Sequence, residues 1–113
     1  CTTSDVQRDW SNANPPYLAD GFAEILVRHG VQHLLLDLPS VDREVDNGVL
    51  RAHNAFFFSG GKPRVGATIS ELLCVPQGLS EGLGLLAMQV APFINDAAPS
   101  RPLWFPASVM PNG

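Results

Sequence analysis

The stretch HLLLDLPSVDRE, His33 to Glu44, ends an apolar run on a carboxylate, Asp37, and follows it with a turn that carries Pro39, Ser40 and a second carboxylate, Asp42. Glu44 and Asp46 come directly behind. Carboxylates at a strand end can line a pocket or hold a cation, because in open α/β sheets functional side chains gather where strands stop and the next loop is free to vary. The same residues also make ordinary turn chemistry, in which Asp and Ser side chains accept hydrogen bonds from nearby backbone N–H groups. On spacing alone, the turn is the better reading.

Two residues outside this stretch point further. His53 falls on the apolar face of a predicted helix with Val49, Leu50, Phe56 and Phe57. A single inward histidine is more often a hydrogen-bonded core residue than a ligand. Glu71 interrupts TISELLCV where a strand should be apolar, and a buried carboxylate must be paired, protonated or bound to a cation. Together a buried Glu and an inward His suit a hard or borderline divalent metal, zinc or manganese. His29 and His33 flank Gly30 at a helix end, where an imidazolium suits the helix dipole, and carry no assigned function. Cys1 raises a different chemistry, the N-terminal nucleophile whose own amine serves as base. Such enzymes open into a long core strand, whereas Ser4, Asp5, Gln7 and Arg8 break the apolar pattern at once. A boundary left by excision from a longer chain is the preferred reading of Cys1.

These side chains need elements to place them. After the breaker NANPPY, Leu18, Phe22, Ile25 and Leu26 recur at helical spacing, with Asp20 as a capping residue and Gly30 as the stop. A helix of about three turns is expected. Val31 to Leu38 reads as a strand covered on both faces. From Asp46 a second helix follows, then the breaker SGGKPRVG. ATISELLCVP and GLGLLAMQVAPF read as two further strands around the turn QGLSEG, and the Pro-rich tail from Pro99 reads as irregular. Helix followed by buried strand predicts an α/β layer arrangement in one domain spanning 1–113.

Composition narrows the classes. With 113 residues, 45% apolar and 16% charged, the chain predicts one compact globular domain rather than disorder. A net charge of -4 and seven scattered Lys and Arg residues leave no basic stripe, so nucleic acid is set aside. No apolar run approaches the roughly 20 residues that span a bilayer, and the first twenty residues do not read as a signal peptide. A cytoplasmic protein without a membrane partner is expected. The two cysteines lack disulfide-framework or zinc-ribbon spacing, and Cys74, inside an apolar run, is expected to be a small core hydrophobe.

The order W-x-N…PPYL, helix, GVQHLLLDLPSVD, LRAH, ISELLCVP and QVAPFINDAAPSRPLWFP resembles the C-terminal half of the cyclase or kynurenine formamidase-like family of metal-dependent hydrolases. The resemblance runs over nearly the whole chain. Its most specific parts are the D-x-P-S-x-D of Asp37, Pro39, Ser40 and Asp42 and the A-H of Ala52 and His53, supported by Glu71–Leu73 and the D-A-x-P-x-R of Asp96 to Arg101. It implies a cyclase-like β/β/α fold, of which this chain is the C-terminal part. It implies hydrolysis of amide bonds, in N-formylkynurenine or cyclic amides, by a metal-activated water. Carried over by position, His53 and Glu71 are metal ligands, and Asp37, Ser40 and Asp42 line the pocket. The gap from His53 to Glu71 is longer than the family's, because SGGKPRVG is inserted. The H-x-G-T-H-x-D-x-P-x-H motif that supplies the family's other ligands and its general acid/base histidine does not occur in this chain.

The expectation is therefore the C-terminal part of a metal-dependent amidohydrolase, inactive alone, with no catalytic residue of its own. Its partners would be a small-molecule substrate, the N-terminal half of the same protein, and further copies in a homo-oligomer. The competing class is a noncatalytic structural or interaction domain in which Glu71 and His53 hydrogen-bond each other; the N-terminal cysteine hydrolase comes third.

Overall fold

A computed structural model describes residues 8–107. The chain divides into two compact units, Cys1–Gln77 and Gly78–Gly113. In the first unit the order is α1 (Phe22–Arg28), β1 (His33–Leu35), α2 (Arg51–Phe57), β2 (Phe58–Ser59), β3 (Lys62–Pro63) and β4 (Thr68–Ser70). The second unit holds β5 (Gly84–Ala87) and β6 (Leu103–Pro106). Each sheet among the described residues has two strands, so the architecture is mixed helix and strand, α/β at the coarse level.

In the first unit β1 and β4 run parallel, with His33, Leu34 and Leu35 opposite Thr68, Ile69 and Ser70. Pairing outlasts the strands: Leu36 N–H donates to Ser70, Leu72 N–H to Leu38 and Leu73 N–H to Leu36. This carries the two chain segments side by side up to the turn at Pro39 and to Glu71. Helices α1 and α2 pack on each other. Ala23 of α1, Phe56 of α2 and Val41 of the turn form the buried apolar core among the described residues, and Pro15 is buried as well.

Helix α1 is shorter than the apolar spacing predicts. It begins after Gly21, whose φ of 82° makes a left-handed entry without a side-chain cap, and Asp20 pairs with Arg51 instead of capping. Its end matches expectation. Gly30 adopts φ 74°, its N–H donates to Val27 O and Val31 N–H donates to Leu26 O, the paired bonds of a Schellman stop. Helix α2 starts only at Arg51, because Asp46 binds the N–H groups of Gly48 and Leu50 and holds that segment in a turn; Val49 and Leu50 are exposed rather than on the inward face.

The expected strand over Val31 to Leu38 contracts to His33–Leu35, with Leu34 and Leu35 only half-buried, so it is not covered on both faces. The breaker SGGKPRVG is a hairpin: β2 and β3 pair Phe58 with Pro63 and Ser59 with Lys62, and Gly60 and Gly61, both at positive φ, make the turn. Arg64 then reaches back, donating from Nη1 to Phe56 O and from Nη2 to Val31 O, each at 2.6 Å, with its guanidinium 4.8 Å from the Phe56 ring centre.

In the second unit β5 and β6 are antiparallel, pairing Leu85 with Phe105 and Leu86 with Trp104. The Pro-rich tail is thus partly regular, since Leu103 to Phe105 offers the bulky residues that a paired strand accepts between its flanking prolines. Cys74 is exposed and not a core residue. Cys1 lies outside the described residues. No helix among the described residues is long and apolar enough to cross a membrane.

Candidate functional site

The turn after β1 is held by its own acids. Glu44 accepts the N–H groups of Asn12 and Asn14 at 2.5 and 2.9 Å, tying the segment before α1 to the turn. Asp46 shapes the approach to α2. Asp42, between them in function, accepts the N–H of Ala52 at 2.6 Å and of His53 at 3.1 Å, two donors of the first turn of α2 that have no partner within the helix. It does from a remote loop what a capping residue usually does from the helix's own end, where Leu50 has no side-chain cap to offer.

The same carboxylate meets the histidine. His53 Nδ1 lies 2.7 Å from Asp42 Oδ2, and His53 Nε2 lies 3.5 Å from Glu71 Oε1. The imidazole thus stands between two carboxylates, one on each nitrogen. Glu71 is fixed in turn: its Oε1 accepts the N–H of the buried Val41 at 2.8 Å. The side chains are 7% exposed for Asp42, 25% for His53 and 28% for Glu71, so the group opens to solvent on the Glu71 side. Burial pushes the Asp42 carboxyl up, but the Ala52 and His53 donors together outweigh it and hold its pKa below the ordinary value. The Phe57 ring, its centre 6.2 Å from that of His53 and tilted by 31°, lies beside the imidazole, and the buried Phe56 meets Phe57 edge-on at 5.9 Å.

Of the residues singled out by sequence, the structure brings Asp42, His53 and Glu71 together. Glu71 follows β4 rather than interrupting a strand, and it is half-buried, so the premise of a fully buried carboxylate does not hold; the convergence with His53 does. Asp37 is exposed, and no described contact joins it to this group. Ser40 supports the turn by accepting the Asp42 N–H on its Oγ at 3.2 Å. His29 is the C-terminal cap of α1, and His33 Nδ1 lies 2.9 Å from Thr68 Oγ1 on the neighbouring strand. The 18 positions between His53 and Glu71 are closed by the β2–β3 hairpin and by β4, which returns parallel to β1.

A cleft of about 350 Å³ adjoins the group through Asp42 and Ala52. Sequence reading missed its walls, which come from the start of α1, the 42–47 loop and the start of α2. Tyr17 and Arg43 stand out there: Arg43 lies over the Tyr17 ring at 5.0 Å and donates to its hydroxyl through Nε and Nη2, which pushes the guanidinium pKa up. The PPYL motif and the R of SVDRE carry these two residues, but nothing in their spacing joins them.

Among the described residues no group of three or more His, Cys, Asp or Glu side chains is disposed to hold a metal ion. The donors that converge are Nε2 of His53 and the carboxylate of Glu71. Two ligands of one tetrahedral zinc, each about 2.0–2.2 Å from it, stand roughly 3.4 Å apart. The 3.5 Å between these atoms fits that edge, whereas a charge-assisted hydrogen bond closes to about 2.8 Å. Comparison with protein-family models, with curated proteins and with solved structures finds no match to the chain.

Proposed function

We propose that this chain is the C-terminal part of a metal-dependent amidohydrolase of the cyclase or kynurenine formamidase-like kind, with the cyclase-like β/β/α fold completed by an N-terminal half. One observation carries the reading: His53 Nε2 and Glu71 Oε1 converge at a ligand-to-ligand distance, with Asp42 on the other ring nitrogen of His53 and Val41 N–H on the same Glu71 oxygen. Zinc or manganese would be held by His53 and Glu71, and when bound would supply a water acidic enough to attack an amide carbonyl at neutral pH. A catalytic zinc takes about three protein ligands and keeps one position open. Two donors from this chain leave the remaining ligands and the general acid/base group to the N-terminal half.

The chain's own residues do the positioning. Val41 N–H fixes Glu71, Phe57 lies beside the imidazole, and Ser40 holds the Asp42 N–H. The small-molecule substrate, an aryl formamide or a cyclic amide, would approach from the Glu71 side, where the group opens to solvent. Exposed apolar residues such as Leu83, Leu85, Phe93 and Ile94 support burial against the N-terminal half or against further copies in a homo-oligomer, in the cytoplasm.

The test is metal content and hydrolysis of an aryl formamide and a cyclic amide by the full-length protein, compared with Glu71→Gln. The amide side chain keeps the volume and an acceptor for Val41 N–H while removing the charge. Loss of metal and of turnover with the fold retained is expected. Full metal occupancy and full turnover in Glu71→Gln would assign the carboxylate a structural role and favour a noncatalytic domain.

A further inference from the structure

We infer that Asp42 is a positioning residue that fixes the tautomer of His53, keeping the proton on Nδ1 and leaving Nε2 as an unprotonated donor atom aimed at Glu71. The consequence for metal binding rests on the proposed hydrolase reading; the tautomer itself rests on geometry alone.

The charge state of a carboxylate limits the hydrogen bonds it can make. Ionised, it only accepts, and its two oxygens offer about four acceptor positions. Asp42 already faces two backbone donors, Ala52 N–H on Oδ1 and His53 N–H on Oδ2. A protonated Asp42 would have to turn its O–H into this pair of donors, so the acid form is disfavoured where it stands. His53 Nδ1 sits 2.7 Å from the same Oδ2. An unprotonated Nδ1 there would press a lone pair against a carboxylate oxygen at hydrogen-bond distance. The contact is favourable only if Nδ1 carries the proton and donates it, as metal-bound histidines commonly do to a carboxylate behind them.

The neutral ring has one proton. With it on Nδ1, Nε2 is a lone pair, and at 3.5 Å it faces Glu71 Oε1, another acceptor. Asp42 achieves this while stapling the first turn of α2, so the helix that carries the imidazole and the proton that orients it are set by one side chain. The backbone bond to His53's own N–H prevents the residue from sliding relative to the carboxylate. A residue that merely capped the helix would need the two backbone bonds and not the third contact.

The test reads the ring nitrogens directly. The metal-free chain is labelled with ¹⁵N-histidine and studied at about pH 8, above the ordinary imidazole pKa of about 6.5. His53→Gln identifies the His53 signals among those of His29 and His33. A protonated Nδ1 and an unprotonated Nε2 are expected for His53, and a proton on Nε2 would overturn the inference. Asp42→Ala should move the ring toward the Nε2–H form and weaken zinc binding about 10- to 100-fold. An unchanged tautomer in Asp42→Ala would equally overturn it. Should Asp42→Ala fail to fold, Asp42→Ser, which can still accept a helix N–H, takes its place with the same expectation. Zinc added to the full-length protein separates the two readings: an Nδ1–H tautomer that zinc leaves unperturbed at Nε2 supports the positioning role and sinks the metal reading.

Discussion

Arg64 offers the clearest quantitative test of how the inserted segment holds the helix that carries His53. Its guanidinium donates to Phe56 O in the last turn of α2 and to Val31 O just before β1, both at 2.6 Å, and rests against the Phe56 ring. The Phe56 carbonyl is among the last four of the helix, which have no partner inside it, and a cation there also suits the helix dipole. Hydrogen bonds to charged groups contribute about 1.5–3 kcal/mol each. Arg64 is half-buried, so solvent competes for these bonds, and the pair with its ring contact comes to roughly 3 kcal/mol. Arg64→Leu keeps the apolar stem but strands both carbonyls. At about 4 °C or more per kcal/mol for a domain near 100 residues, Tm should fall by on the order of 12 °C. Arg64→Lys should recover about half, because one ammonium cannot span two carbonyls as a planar fork does. Thermal and urea unfolding followed by circular dichroism supply both numbers. A loss below about 0.5 kcal/mol in Arg64→Leu would mean that the hairpin, not the side chain, carries the connection.

Two further outcomes follow from single contacts. Gly84→Ala should destabilise the β5–β6 pair by roughly 1–3 kcal/mol, since the new Cβ would stand 2.4 Å from the Trp104 ring and 2.6 Å from the Phe105 carbonyl; a drop in near-ultraviolet Trp signal with an unchanged first unit checks it. Asp42 should make the protein acid-sensitive. Its folded-state pKa is depressed, so more protons bind the unfolded chain in that window; its contribution is full above the unfolded value of about 3.9 and is lost as pH falls through the lower folded value. Urea midpoints measured from pH 6 down to 2 should fall less steeply in Asp42→Ala than in wild type, and parallel slopes would refute the linkage.

Local chemistry was legible where a residue type and its backbone need coincide. Gly30 reads as a helix stop because its left-handed geometry is one that glycine adopts without strain, and the Schellman bonds form there. Of the turn acids, Asp46 makes local turn bonds, to the N–H groups of Gly48 and Leu50, whereas Asp42 and Glu44 bind N–H groups ten or more positions away. What the sequence hid was partnership at a distance. Asp42 serves a helix ten positions on, and Asp20 is drawn from its expected cap to Arg51, since both choices depend on how α1 meets α2. The apolar runs overstated the strands because hydrophobicity measures what could be buried, while the pairing that makes a strand here spans only His33–Leu35 and Thr68–Ser70. SGGKPRVG read as a breaker because its glycines dominate the pattern, whereas Arg64, one residue among them, gives the segment its structural purpose.

The backbone adds a signal that no periodicity could carry. Leu50, immediately before α2, and Leu72, immediately after Glu71, both sit in the left-handed region, at φ 46° and 56°. That region is costly for a bulky side chain, on the order of 1 kcal/mol or more, and neither leucine is buried. Their conformations are imposed by bonds on either side. Leu50 N–H is held by Asp46 at 2.6 Å while its carbonyl accepts Asn54 N–H at 2.8 Å; Leu72 N–H is held by Leu38 O at 2.9 Å. Relaxing either residue would rotate the segment beside it, and those segments carry His53 and Glu71. Strain of this kind persists only where the surroundings over-determine the chain. Here it falls beside the segments that carry His53 and Glu71.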